Sequence, residues 1–240
     1  MNKRGVLTVI SGPSGVGKGT VINRLFEIED NLYFSVSATT RKPRPGEIDG
    51  VHYSFKTREE FEHDIETGEM LEYAVFNGNY YGTPKSAVEQ RLSEGKDVVL
   101  DIEIQGARNV KKMMPEAALI YLLPPSIEEL KRRLVGRNTE DAETVAGRLH
   151  TARIELNEAP VLYDYFIVND LVENAAIKIK DIIEGERCSK SAMKEVLKQI
   201  LKEAENLAYP ERYLQSQPAQ QPLCKRCCNC KTRTQNQRRC

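Results

Sequence analysis

The chain has 240 residues, 40% hydrophobic and 29% charged, with a formal net charge of zero; this composition belongs to a globular protein and excludes disordered and fibrous classes. No apolar run approaches the roughly 20 residues that span a bilayer, and the opening MNKRGVLTVISG lacks the apolar stretch and cleavage site of a signal peptide, so a cytoplasmic protein without membrane association is expected. The charge is uneven: residues 188–240 hold 11 Lys/Arg against 4 Asp/Glu and the remainder 24 against 31, an acidic body that argues against specific nucleic-acid binding. All six cysteines lie at or beyond Cys188, so the preceding residues are expected to fold without disulfides.

In chain order, VLTVI (6–10) is a β-branched apolar run that predicts a strand, and Lys18 to Glu27 carries apolar residues at helical spacing. Between them Gly12-Pro13-Ser14-Gly15-Val16-Gly17-Lys18 meets the GxxxxGK spacing of a phosphate-binding loop, set between strand and helix as that motif requires. Its glycines let backbone N–H groups turn toward a polyphosphate, the helix N-terminus adds partial positive charge, and Lys18 reaches the β- and γ-phosphates. The Ser or Thr that usually follows the lysine is Gly19, with the hydroxyl displaced to Thr20, the candidate for direct or water-mediated Mg²⁺ contact.

Residues 37–84 break the strand–helix alternation. TTRKPRPGEIDG is too rich in Pro and Gly for regular structure, and strand-like HYSFK and MLEYAVFNGNYYG flank one short helix, which predicts an inserted lobe. Thr57 to Glu60 and Ser126 to Glu129 fit the capping box and mark helix starts. DVVLDIEI (97–104), AALIYLL (117–123) and YDYFIVN (163–169) read as core strands, each beside a helical segment, so the fold class is α/β, a parallel sheet flanked by helices. Asp101 and Glu103 end the first of these on one face, at the carboxyl edge where ligands of such sheets gather; alternatively, one of the pair caps the following helix. Residues 137–147, RNTEDAETVAG, read as a mobile flap between helices. An amphipathic helix is expected within 188–209, then a disordered basic tail over 210–240. There Cys224-x₂-Cys227 is half of a zinc-ligand pattern; Cys228 and Cys230 sit too close to form its second half, and Cys240 stands apart.

Taken in order behind the phosphate loop, SVSATTRKPRPGEIDGVHY, LEYAVFNGNYYGTP and VVLDIEIQG closely resemble the guanylate kinase family. The resemblance spans residues 5 to about 187 and implies a domain over 1–187 made of a core (1–36 and 85–187), a GMP-binding lobe (37–84) and an arginine-bearing lid (137–147). It implies transfer of the γ-phosphoryl group of ATP to GMP with Mg²⁺, and leaves dGMP open as a further acceptor and the oligomeric state unread. By position, Ser37 matches a residue near the guanine, and Arg41, Arg44, Tyr53 and Tyr81 match residues that hold the GMP phosphate. Glu72 matches the residue that pairs with the guanine edge, and Thr83 one that donates to the base carbonyl. A carboxylate suits guanine, whose N1–H and 2-amino group are adjacent donors; adenine offers no such pair. Without the resemblance, RKPR is a solvated basic loop, Glu72 a solvent-facing strand carboxylate and Tyr81 a packing residue.

The resemblance further places Asp101 near the metal and transferred phosphate and Glu103, where Asp is common in the family, near the guanine amino group. Arg133, Arg137 and Arg148 match arginines that converge on the phosphates when the lid closes, and Asn169 matches a position near the adenine. With Lys18 and Arg41 these arginines form the expected catalytic set, since phosphoryl transfer spreads charge that guanidinium groups stabilise. Two alternatives stand beside this reading. A noncatalytic guanylate-kinase-like protein-binding module is expected to lack part of the ATP apparatus, and a kinase for another nucleoside monophosphate is disfavoured by Glu72 and Thr83 together.

Overall fold

The structure, a computed structural model, describes residues 4–135 and 142–206. Arg137, residues 137–141 of the expected lid, the end of the extra helix beyond 206 and the tail with Cys224, Cys227, Cys228, Cys230 and Cys240 lie outside the described residues. The chain divides between Lys194 and Glu195 into two compact units.

In the first unit, β1 (Leu7–Ser11) runs through the phosphate loop into α1 (Lys18–Ile28), then β2 (Leu32–Phe34). The inserted stretch follows as β3 (Ala38–Thr39), β4 (Ser54–Phe55), α2 (Arg58–Glu66), β5 (Met70–Phe76) and β6 (Asn79–Pro84). The chain then returns to α3 (Lys85–Ser93), β7 (Asp97–Asp101), α4 (Ile104–Met113), β8 (Ala118–Leu123), α5 (Ile127–Val135), α6 (Ala142–Leu162), β9 (Tyr165–Val168) and α7 (Val172–Glu186). The amphipathic pattern forms α8 (Lys194–Glu205), whose residues from Glu195 onward belong to the second unit. No described helix is long and apolar enough to cross a membrane.

The main sheet has the order β2-β7-β1-β8-β9, all parallel. All five residues of β1 are buried, as expected of a central parallel strand covered on both faces. Side-chain alternation divides the core: Leu7, Val9, Leu100 and Tyr121 pack with Val88, Val110 and Ala159 on one face, and Ile10, Val99, Ile120 and Leu122 with Leu25 and Ile179 on the other. Register aligns Ile10 with Asp101 and Ser11 with Tyr121, so three strand ends converge where β1 parts to neighbours on opposite sides, the usual place for a ligand crevice.

The second sheet, β4-β3-β6-β5, is built on the β5–β6 hairpin, closed by Asn77-Gly78 with φ of +47° and +76°; that dipeptide tolerates the left-handed backbone a tight hairpin needs. Thr57 and Glu60 make the full reciprocal capping box at α2. Ser126 makes only half of one: its Oγ accepts the Glu129 N–H at 3.0 Å, while the Glu129 carboxylate is taken by Arg132 and Arg133. The strand expected over 97–104 stops at Asp101, and residues 142–147 of the expected flap form the first turns of α6.

Candidate active site

The phosphate loop forms one wall of a cavity of about 640 Å³ at the carboxyl edge of β1, bounded also by Glu103, Tyr121, Arg148 and Glu155. Gly15 and Gly17 adopt φ of +85° and +96°, and Gly17 is the N-cap of α1. A Cβ at Gly17 would lie 2.7 Å from Asn169 Nδ2, so this turn needs glycine for space as well as for backbone freedom. Lys18 Nζ pairs with Asp101 Oδ1 at 2.7 Å, both side chains partly exposed. A positive charge at the helix N-terminus is unfavourable by itself, and the β7 carboxylate offsets it.

Asp101 and Glu103 do not share a strand face. Glu103 lies past the end of β7 at the N-cap position of α4, its side chain makes no capping hydrogen bond, and it lines the phosphate cavity. Arg148, on α6, donates from Nη1 to Ser14 Oγ at 2.9 Å, which brings that helix to the tip of the loop. Thr20 is exposed on the first turn of α1, within the cavity lining.

Arg133 is placed differently from its expected convergence on phosphate. Its Nε donates to Glu129 Oε1 at 2.8 Å, Nη1 to the Val16 carbonyl at 2.9 Å and Nη2 to the Asn169 carbonyl at 3.2 Å. Asn169 Nδ2 donates to the same Val16 carbonyl at 2.8 Å. Two side chains thus fix the peptide that enters Gly17, a bracing of the loop from behind. Asn169 is 2% exposed, and its Oδ1 has no hydrogen-bond partner among the described residues; a buried acceptor left open in this way suits an incoming amino donor.

In the lobe, Arg41, Tyr53 and Tyr81 come together: the guanidinium carbon lies 5.2 Å from the Tyr53 ring centre, and the Tyr53 and Tyr81 rings are 6.0 Å apart. Arg44 is exposed on the neighbouring turn, and Ser37 is half-buried where its carbonyl accepts the Ser54 N–H at 2.9 Å. Glu72 is buried at 8% exposure rather than facing solvent. Thr83 Oγ1 donates to its Oε1 at 2.7 Å across the β5–β6 register, so the hydroxyl expected to meet the base is here directed at the carboxylate. Burial pushes the Glu72 carboxyl above the ordinary carboxylate range, and the hydrogen bonds from Thr83 oppose this.

Three residues that matter here escaped the sequence reading. Gly106, in the first turn of α4, makes room for Glu72: a Cβ there would meet Oε2 at 3.0 Å. Glu47 holds Arg41 in a two-pronged ion pair. Glu155 sits on the cavity floor, accepts a bond from the buried Tyr121 hydroxyl at 3.3 Å, and is pushed upward by burial, with Glu103 adding and Lys18 opposing. Its signal was present, since Arg148 and Glu155 stand seven residues apart, two helical turns on one face.

Magnesium takes oxygen ligands and is usually held by one or two carboxylates together with substrate phosphates and water. Among the described residues no three His, Cys, Asp or Glu side chains form a metal cage; the Thr20 hydroxyl, in the cavity lining, and the Asp101 carboxylate, paired with Lys18, are oxygen donors of the kind a sparser, phosphate-shared site uses.

The family model described as guanylate kinase matches residues 4–186. The chain is 56% identical over 186 residues to a guanylate kinase of Lactococcus lactis subsp. lactis, covering 78% of this chain and 90% of that one. It is 50% identical over 203 residues to a guanylate kinase of Oceanobacillus iheyensis, covering 85% and 98%. The crystal structure of guanylate kinase from Anaplasma phagocytophilum superposes with a TM-score of 0.61 at 37% identity, covering 82% of this chain and 95% of that one.

Proposed function

Because the chain belongs to the guanylate kinase family, we propose that the cleft described above performs that family's reaction with the residue roles derived below. The enzyme transfers the γ-phosphoryl group of ATP to GMP, giving GDP and ADP, rather than serving as a noncatalytic module.

The backbone N–H groups of the loop from Gly12 to Thr20, all but that of Pro13, and the N-terminus of α1 receive the ATP phosphates. Lys18 exchanges the Asp101 carboxylate for phosphate oxygens, one anionic partner for another, so the rearrangement costs little. Thr20 and Asp101 would hold Mg²⁺, which supplies charge neutralisation between the phosphates. Arg148, already at Ser14, stands at the mouth of the loop where the transferred group passes; Arg137 belongs with it by position. Arg133 and Asn169 brace the loop, and the open Asn169 Oδ1 faces the adenine amino group. No general base is required, because the attacking oxygen of GMP is already anionic; the chemistry is positioning and electrostatic stabilisation.

Arg41, Arg44, Tyr53 and Tyr81 hold the GMP phosphate, and Ser37, Glu72, Thr83 and Glu103 surround the base. Glu72 carries the acceptor assignment: a buried carboxylate with one oxygen satisfied by Thr83 is built for a ligand that brings adjacent donors. We place the reaction in the cytoplasm, without a specific nucleic-acid partner, which cell fractionation checks. The test of the activity is a coupled ADP-release assay with ATP and Mg²⁺, comparing GMP, AMP, CMP and UMP. Turnover with GMP that disappears in Lys18→Ala is expected; no turnover with any acceptor refutes the proposal.

A further inference from the structure

The turn from Arg41 to Glu47 carries two arginines expected on the GMP phosphate, and a carboxylate that the reaction as derived above does not use. Glu47 Oε2 accepts from Arg41 Nη1 at 2.8 Å and Oε1 from Nη2 at 2.9 Å, a parallel two-bond fork. The same Oε2 accepts the Arg44 backbone N–H at 2.7 Å, and the Glu47 N–H returns to the Arg44 carbonyl at 3.0 Å. Arg41 Nη1 also donates to the Lys42 carbonyl at 2.9 Å. Both members of the fork are largely buried, at 15% and 18% side-chain exposure.

Two functions are open to a carboxylate so placed: to occupy the phosphate's place and compete with it, or to aim the arginine. The donor count decides. Three of the guanidinium's five N–H groups go to Glu47 and Lys42, which leaves two to be shared between the Tyr81 hydroxyl and a ligand. The planar group lies over Tyr53 and Phe55, at 5.2 and 5.7 Å, and is within the influence of the Tyr81 hydroxyl. The fork therefore holds one end of Arg41 and leaves its remaining donors on the side of Tyr81. On a Pro- and Gly-rich turn an unheld arginine samples many rotamers, and ordering it at the moment of binding is costly. Held near 2 by Arg41 and the Arg44 N–H, Glu47 stays ionised and the fork stays formed at working pH.

We propose that Glu47 is a positioning residue for the acceptor phosphate, fixing the direction of Arg41 and joining it to the Arg44 turn as one preset grip. This inference rests on the reading of residues 37–84 as the GMP-binding lobe. Glu47→Gln keeps size and one acceptor but breaks the fork. In the full chain, assayed with ATP, Mg²⁺ and GMP, it raises KM for GMP by about ten- to a hundredfold, the scale of a misdirected binding group. KM for ATP stays put, and the variant remains folded at the assay temperature. In an Arg41→Met background the same change adds nothing to KM for GMP, because residues acting through one another are not additive. Glu47→Asp, which keeps the charge but shortens its reach, gives a GMP-only loss even if the Gln variant does not fold. An unchanged or lower KM for GMP, equal losses in both backgrounds, or a parallel rise in KM for ATP overturns the proposal. Failure of the unaltered enzyme to phosphorylate GMP would instead defeat the functional reading, so the two failures are distinguishable.

Discussion

Replacing Glu72 by Gln should weaken GMP use and strengthen the empty protein at the same time. The Glu72 carboxylate is buried, and its side-chain partner is Thr83, which donates to Oε1. Burial raises its proton affinity above the ordinary 4.5, so the folded state binds that proton more tightly than the unfolded one. The sign follows: the ionised carboxyl costs stability above its folded pKa, and the cost disappears as pH falls through that value toward 4.5. A neutral amide of the same shape, still able to accept from Thr83, removes the cost. With GMP the balance reverses. Guanine brings two adjacent donors to the carboxylate, and the amide accepts only one while setting its NH₂ against the other. Losing one charge-assisted bond and opposing two donors costs about 2–4 kcal/mol, or about 30- to 1,000-fold in kcat/KM. The assay pairs steady-state kinetics for GMP and AMP with thermal melts at neutral pH, with and without GMP. In the unaltered enzyme, KM for GMP should also rise as pH falls through the raised Glu72 pKa, where protonation removes an acceptor. A Gln variant that melts lower without ligand and keeps its GMP-over-AMP preference would refute the reasoning.

Two further outcomes are expected. Gly106→Ala brings a Cβ to 3.0 Å from Glu72 Oε2 and 3.3 Å from Ile102 Cδ1; displacing the carboxylate should raise KM for GMP by about three- to tenfold while KM for ATP holds, measured by varying each substrate in turn. Arg187→Met removes the charged partner of Asp97, which is 1% exposed and otherwise accepts from the Val6 N–H at 2.8 Å and Asn31 Nδ2 at 3.4 Å. Stranding that carboxylate should cost about 2–4 kcal/mol and lower the melting temperature by about 5–15 °C with kinetics unchanged, as calorimetry and the coupled assay would show.

The elements set by local rules were legible in the sequence. The phosphate loop is a contiguous spacing, β1 and β8 are short and almost wholly apolar runs, and Thr57 with Glu60 is a capping signature read within four residues. What escaped depends on how the chain closes on itself, through partners distant in sequence or across an irregular turn. On β5 the hydropathy pattern misleads: Glu72 is buried while Val75 and Phe76 are exposed, because α4 covers only the beginning of that strand. Arg133 resembles a phosphate ligand by position, yet its donors go to Glu129, Val16 and Asn169, an arrangement visible only once α5 is laid beside the loop. Glu47 stands within the quoted motif, but its pairing with Arg41 requires the turn to close back on itself.

On the proposed assignment of Glu72 to the base, base choice and phosphate chemistry need not be separate devices. From Asp101 to Gly106 the chain is six residues long: Asp101 pairs with Lys18, Glu103 lines the phosphate cavity, and Gly106 lies against Glu72. Those residues are the end of a central strand and the first turn of a packed helix, with Ala107 and Val110 just beyond fully buried, so they do not flex independently. A base that fits Glu72 leaves this turn where Asp101 and Glu103 face the donor site. A base that displaces the carboxylate presses on the same turn. Recognition transmitted through a rigid element acts on the transition state as well as on ground-state affinity, and discrimination between GMP and AMP should therefore appear in kcat as well as in KM.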